Sequence, residues 1–156
     1  MQFQIAGLCT RDCKFQISSC VVAIYSLCYS IMKSSSYWNS NTLATVVDNS
    51  KRVQDNLCLN GCISSSKLPK TVDICGAEVS FNVLSEHMEG PLFDSVQSKS
   101  ILENAIINND ECTGFLMWLP CYSISFIYKP TKKSKYMYSL LVYNATHKQT
   151  IQYTEH

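Results

Sequence analysis

A thiol and an imidazole in this sequence stand where nucleophilic catalysis would need them. Cys20 opens the apolar stretch CVVAIYSLCYSI, so it lies in the first turn of the helix that this stretch predicts. At a helix N-terminus the dipole and the free N–H groups stabilise a thiolate and an acyl oxyanion. His147 follows the apolar run SLLVY, with Asn144 just before it. An Asn can orient an imidazole base, so Cys20, His147 and Asn144 are the candidate nucleophile, base and orienting residue.

The choice of histidine rests on position. The sequence has three histidines, and we expect His87 in a turn and His156 at the terminus, which leaves His147 as the base. The pairing itself is not specific, because nine cysteines make a chance match with a histidine easy. A cysteine in an apolar helix is more often an inert core residue. A place in the core is therefore the alternative interpretation of Cys20.

Metal and cofactor sites find little support. Cys9-x3-Cys13 and Cys58-x3-Cys62 have a spacing that zinc ligands can take, but neither has a second pair of ligands nearby. The sequence has no Walker loop, no GxGxxG and no HExxH motif. We therefore expect no metal ion and no cofactor.

The charge balance bears on partners. Lys and Arg total 13 and Asp and Glu total 12, which gives a net charge of +1 and no field that would attract nucleic acid. Residues 15–32 carry no charge, but they are short for a membrane span and include four serines. We expect no nucleic-acid partner, no membrane partner, and a buried core helix at this segment.

Predicted helices and predicted strands would together position the candidate site, and the helices come first along the chain. The first helix should begin with Ser18 or Ser19 as N-cap and be buried, and a second should begin after Asn39 or Asn41. A third amphipathic helix is predicted over 95–108.

Short strands are predicted within 71–84, interrupted at Gly76. The C-terminal third changes to β-branched and aromatic runs that predict an antiparallel meander, GFLMWL, YSISFIYK, YMYSLLVY and TIQY. Helices first and sheet last indicate an α+β domain, and 156 residues indicate a single one, over 1–156.

Several features follow one another over roughly residues 15–150: a buried helix that starts near Cys20, Trp38 before the second helix, Leu68-Pro69, and YSLLVYNATH, which is similar to a strand ending in aromatic-Asp-x-His. In these features the sequence resembles OTU-like cysteine peptidase domains of large DNA viruses and of helicase-associated mobile elements. Herpesvirus tegument deubiquitinases are more distant relatives of these domains. The resemblance implies a papain-like fold in which an N-terminal buried helix packs on a C-terminal antiparallel meander. It also implies that Gln4 is the upstream Gln of the oxyanion hole.

Both catalytic motifs depart from the family pattern. The family has Gly-x-Gln-Cys, whereas this chain has Gln16-Ile17-Ser18-Ser19-Cys20, and an ungapped match puts Ser19 in the nucleophile position. One residue turns a helical side chain by about 100°, which would aim the Cys20 sulfur away from a fixed histidine. Asp-x-His becomes Asn144-Ala145-Thr146-His147, with one residue added. In a strand one added residue reverses the face of the side chains that follow.

These departures favour a degenerate domain of viral origin that binds ubiquitin or another protein and hydrolyses poorly or not at all. An active ubiquitin-processing peptidase using Cys20, His147 and Asn144 is the first alternative. The second is a secreted, disulfide-linked viral or venom-type protein, supported by the sequon Asn144-Ala145-Thr146. Residues 1–14 lack a signal-peptide pattern, so we expect free thiols and an intracellular localisation. The host cytoplasm, the host nucleus and association with the virion are the alternatives. The oligomeric state is left open.

Overall fold

Two helices and nine strands form the part of the chain that the computed structural model describes. Its backbone is described at residues 2–10, 15–34, 37–63, 67–68, 70–88, 104, 107–108, 114–118, 122–129, 137–144 and 149–155. In chain order the elements are β1 (Gln2–Thr10), β2 (Phe15–Gln16), α1 (Ile17–Met32), α2 (Ser40–Asn56), β3 (Cys62–Ile63), β4 (Thr71–Ile74), β5 (Ala77–Met88), β6 (Gly114–Trp118), β7 (Tyr122–Lys129), β8 (Met137–Asn144) and β9 (Gln149–Glu155). The chain is therefore an α+β protein, as the sequence predicts.

The first helix starts slightly before its predicted cap. The backbone N–H of Ile17 donates to the carbonyl of Gly61 over 2.9 Å, so the loop after α2 supplies a hydrogen-bond acceptor for the first N–H group of α1. Ser18 and Ser19 lie inside the first turn. The second helix begins as predicted, because the Asn39 side chain accepts from the backbone N–H of Thr42 over 2.9 Å.

Seven strands form one mixed sheet in the order β4-β5-β1-β6-β7-β8-β9, and β2 pairs with β3. The predicted C-terminal meander is confirmed: β6, β7, β8 and β9 pair antiparallel with their neighbours in sequence. The predicted break at Gly76 is also confirmed, since β4 and β5 form an antiparallel hairpin around it.

The expected order of helices first and sheet last is wrong at the N-terminus. β1 lies in the middle of the sheet and pairs parallel with both β5 and β6. Its segment QFQIAGLCT has too few strand-forming apolar residues to predict a central strand, and its partners lie far along the chain. The pairing with β1 also extends β5 to Met88, so His87 belongs to a strand and not to a turn.

Of the predicted third helix at 95–108, only residues 104 and 107–108 are described, and they are helical; the rest of that prediction falls outside the described residues.

The core lies between α1 and the sheet. α1 contacts β7, β8, β6 and β4 on one side and α2 on the other, and so it is buried nearly all round. The predicted core helix at this segment is confirmed. Trp38 anchors the connection to α2, because its Nε1 donates to the carbonyl of Lys33 over 2.9 Å and its ring meets Tyr29 edge-on. Within the residues that the structure describes, no helix has the length and apolar character that a membrane crossing requires.

Gly114 lets α1 approach the sheet closely. A Cβ built there would lie 2.5 Å from a methyl carbon of Leu27, itself buried in α1. We expect Gly114→Ala to lower the free energy of unfolding by about 1–3 kcal/mol, because the added methyl overpacks the core. Urea titration measures this. In a Leu27→Ala background the same substitution should cost much less, and an equal cost in both backgrounds would contradict this packing.

The β4–β5 hairpin turns through a strained cysteine. Cys75 (φ 53°) and Gly76 (φ 83°) connect the paired residues Ile74 and Ala77, as in a two-residue type I′ turn that favours Asn-Gly. We expect Cys75→Asn to raise the free energy of unfolding by about 0.5–1 kcal/mol, because Asn tolerates a left-handed backbone better. Cys75→Ala is the control in the same urea titration, since it removes the thiol and keeps the strain. Equal stability of the Asn and Ala variants would contradict the explanation.

Candidate functional site

The candidate site lies where the first turn of α1 meets the last residue of β6 and the start of β7. Ser19 and Cys20 face the sheet from the helix, and Trp118 and Ser123 face the helix as paired residues of β6 and β7. The hydroxyl oxygens of Ser19 and Ser123 lie 3.4 Å apart. All four side chains have an exposed fraction of 0%.

The thiol of Cys20 is protonated and enclosed. Burial raises its pKa from 9.0 to about 12, and the neighbouring Trp118 side chain, a hydrogen-bond donor, offsets only part of the rise. Reactive cysteines show the opposite pattern: they are partly exposed, and their pKa is lowered by a cation or a helix N-terminus. Here the desolvation of the thiolate outweighs the helix dipole, so Cys20 has the character of a core residue.

Ser19, the alternative occupant of the nucleophile position, is equally enclosed. Its hydroxyl meets that of Ser123, which is a neutral partner and cannot serve as a general base. A serine nucleophile needs an adjacent base to accept its proton. The contact with Ser123 therefore does not activate Ser19 as a nucleophile.

The other predicted site residues differ in their distance from the first turn of α1. Asn144 is the last residue of β8 and follows Tyr143, which pairs with Ser123. Because Ser123 contacts Ser19, this end of β8 lies at the same end of the sheet as the first turn of α1. Asn144 itself pairs with Tyr122, the first residue of β7. His147 lies outside the described residues.

Gln4 lies far from the candidate site. On β1 it pairs with Asn82 of β5, whereas Cys9 is the β1 partner of Trp118. The five residues from Gln4 to Cys9 span about 16 Å of extended strand. β1 therefore does not bring Gln4 beside Cys20, and the structure gives no support to its role in an oxyanion hole.

Two residues of this site were missed from the sequence. Trp118 and Ser123 lie in TGFLMWLPCYSISF, which the sequence indicates only as a strand pair. A buried Trp at the end of one strand and a Ser at the start of the next carry no catalytic pattern, so no signal pointed to them. They now define what surrounds Ser19 and Cys20.

The thiols that the structure describes are free. Cys20 and Cys28 are buried, and Cys58, Cys62 and Cys75 are exposed. Among the side chains described, no three Cys, His, Asp or Glu lie close enough together to hold a metal ion.

Comparisons of the chain with protein-family models, with curated proteins and with solved structures find no match. The likeness to OTU-like peptidases therefore depends on the residues quoted from the sequence.

Proposed function

We propose that this chain is a catalytically inactive, peptidase-like domain of viral origin that acts by binding ubiquitin or another protein inside the host cell or in the virion. One observation carries the proposal: Ser19 and Cys20, the two residues that could occupy the nucleophile position, are both fully enclosed. A peptide carbonyl must approach a nucleophile to about 3–3.5 Å, which an enclosed side chain does not allow.

The packing around Cys20 serves stability better than chemistry. Cys20 belongs to the same apolar cluster as Ile24, Leu116 and Trp118, which joins α1 to the sheet. Opening this cluster to admit a substrate would expose apolar surface and cost free energy. By analogy between folds, a scaffold that keeps its core pattern and lacks a working catalytic site commonly acts as a binding domain.

The described surface offers apolar groups for contact with a partner. Tyr37 is 76% exposed and Met32 is 48% exposed, and both lie at the connection between α1 and α2 beside the exposed Lys33. Tyr and Met are enriched in protein interfaces. A binding role through this end of the helices would leave the enclosed turn at Cys20 intact.

The first experiment tests for catalysis. A ubiquitin carrying a thiol-reactive electrophile at its C-terminus is incubated with the protein, and hydrolysis of a ubiquitin-amide substrate is followed in parallel. We expect no adduct at Cys20 and no hydrolysis, in the wild type and in Ser19→Cys alike. Cys20→Ala serves as the background control. Hydrolysis that disappears in Cys20→Ala would refute the proposal.

The second experiment tests for binding. Titration of isotope-labelled ubiquitin with the protein should shift ubiquitin resonances. Tyr37→Ala should weaken the interaction by about 1 kcal/mol or more, because it removes an exposed aromatic side chain of the kind that anchors interfaces. Lys51→Ala, on the exposed face of α2, is the matched control and should bind as the wild type does. Absence of any shift at millimolar concentration would exclude ubiquitin as the partner.

An active peptidase using Cys20, His147 and Asn144 is the second candidate function. The pairing of Tyr143 with Ser123, and the contact of Ser123 with Ser19, favour it by bringing the end of β8 to the first turn of α1. It would require that this turn open to substrate. The hydrolysis assay above distinguishes the two functions.

A further inference from the structure

Asn60 and Gly61 lie in the loop that connects α2 to β3. Both residues are exposed, and neither belongs to a helix or a strand, since α2 ends at Asn56 and β3 begins at Cys62. Gly61 has a φ of 72°, in the left-handed region, and a Cβ built there would have open space around it. Solvent therefore reaches this pair without any opening of the core.

An asparagine followed by a glycine is prone to lose its side-chain amide. The backbone nitrogen of the following residue attacks the Cγ carbonyl, and a glycine has no Cβ to hinder that attack. Asparagine is one of the thermolabile residues of proteins. Asn56 offers a contrast four residues earlier, because it is followed by Leu57, whose N–H donates to the carbonyl of Val53 over 3.1 Å. The sequence and the loop thus favour reaction at Asn60.

Two hydrogen bonds hold the backbone on either side of Asn60. The carbonyl of Leu59 accepts from Nε2 of Gln54 on α2 over 3.1 Å, and the Leu59 side chain packs against the core cluster. The carbonyl of Gly61 accepts from the backbone N–H of Ile17 over 2.9 Å. The first N–H groups of a helix have no acceptor within the helix, so this bond supplies one that α1 lacks. The backbone at Asn60 therefore spans two anchored carbonyls.

We propose that Asn60 is a site of spontaneous deamidation, and that its isoaspartate product detaches the loop from the start of α1. The nitrogen of Gly61 gives up its proton to solvent and forms a bond to Cγ of Asn60, and the Cγ–Nδ2 bond breaks and releases ammonia. Water then opens the cyclic imide. Cleavage of the new bond to Cγ gives aspartate, and cleavage of the bond to the main-chain carbonyl carbon gives isoaspartate.

The two products should affect α1 in opposite directions. Each replaces a neutral amide by a carboxylate, and a negative charge near a helix N-terminus is stabilising. Isoaspartate in addition routes the main chain through Cβ and Cγ, which lengthens it by one carbon atom. Because the carbonyls of Leu59 and Gly61 are both anchored, the extra length displaces at least one of them. This site goes beyond the proposed binding function and does not depend on it.

The first measurement follows conversion in the native full chain, kept reduced at mildly alkaline pH. Cleavage after Arg52 and Lys67 gives one peptide that holds both Asn60 and Asn56, so Asn56 is an internal reference. Mass spectrometry with electron-transfer fragmentation locates the exchange of an amino group for a hydroxyl group and separates isoaspartate from aspartate. We expect Asn60 to convert at least about tenfold faster than Asn56, because glycine leaves the attacking nitrogen unhindered. Gly61→Ala should remove most of this difference, and Asn60→Gln should abolish the reaction.

The second measurement compares urea midpoints. Ion exchange isolates the deamidated protein from an aged sample, and Asn60→Asp supplies the aspartate product alone. We expect Asn60→Asp to unfold at the wild-type urea concentration or a higher one, and a fraction rich in isoaspartate to unfold at a lower one.

The wild-type ratio and Asn60→Gln decide the first part if Gly61→Ala fails to fold. Equal conversion at Asn60 and Asn56, or an intact Asn60 in the native protein under conditions that convert the urea-unfolded chain, would overturn the proposal. An isoaspartate-rich fraction with the urea midpoint of Asn60→Asp would overturn it too. None of these results bears on ubiquitin binding or hydrolysis, so the proposal and the proposed function can fail separately.

Discussion

Raising the pH from about 9 to about 12 should unfold this protein cooperatively. The pKa values of Cys20 and Cys28 rise from 9.0 to about 12 on burial, and that of Tyr25 rises from 10.0 to about 12. The folded state therefore holds these protons when the unfolded state has released them. Their stabilisation is complete below pH 9 and is lost as the pH approaches 12, at about 1.4 kcal/mol per pH unit for each thiol.

Urea titrations at a series of pH values, followed by circular dichroism, measure this dependence. Cys20→Ala should start from a lower stability, because it leaves a cavity, and should then lose stability less steeply above pH 9. Cys58→Ala is the matched control, since Cys58 is exposed, and should follow the wild-type slope. A Cys20→Ala variant with the full wild-type slope would show that Cys20 is not buried as a neutral thiol.

Trp118→Ala should be the most destabilising single substitution in the described core. Trp118 is the largest fully buried side chain, and it packs in the cluster that joins α1 to the sheet. Removing a buried Trp costs about 3–5 kcal/mol, from lost burial and from the cavity left behind. Since small domains have a total stability of about 5–15 kcal/mol, this variant should unfold at a much lower urea concentration.

Two controls separate burial from chemical type. Trp118→Phe should cost less than Trp118→Ala, because most of the apolar volume is retained. Trp38→Ala removes a partly buried Trp that contacts Tyr29 and the carbonyl of Lys33, and it should cost less than Trp118→Ala. Equal losses for Trp38→Ala and Trp118→Ala would contradict the position of Trp118 at the centre of the core.

The sequence predicted the elements whose signal lies within one segment or between segments that are adjacent in sequence. α1 is apolar on every side, and α2 begins at the Asn39 cap, and both were evident from spacing and residue type. The C-terminal strands were evident for the same reason, since adjacent β-branched and aromatic runs pair with their neighbours in sequence.

The elements that depend on distant partners could not be predicted. β1 lies between β5 and β6, and both of these partner strands lie far from it along the chain. Without those partners QFQIAGLCT has no strong strand pattern, and without β1 nothing extends β5 to His87. The register that pairs β1 with both β5 and β6 is a property of the whole sheet and of no single segment.

The place of Cys20 in the fold was predicted from the sequence, and its surroundings were not. The sequence places Cys20 in the first turn of a buried helix, and the structure agrees. The sequence also offers a core role for that thiol as the alternative to catalysis, and the full burial of Cys20 under Trp118 favours the core role. Which role applies depends on contacts with β6 and β7, which spacing along α1 does not encode.

Alkylation of Cys20 in the native protein tests whether the nucleophile position is enclosed. The protein is exposed to iodoacetamide at neutral pH, quenched, digested and analysed by mass spectrometry, with Cys58 as the exposed reference and Cys28 as the buried one. We predict that Cys58 is modified while Cys20 stays as protected as Cys28. Modification of Cys20 at the rate of Cys58 or faster would contradict the enclosure of this thiol and revive Cys20 as a nucleophile.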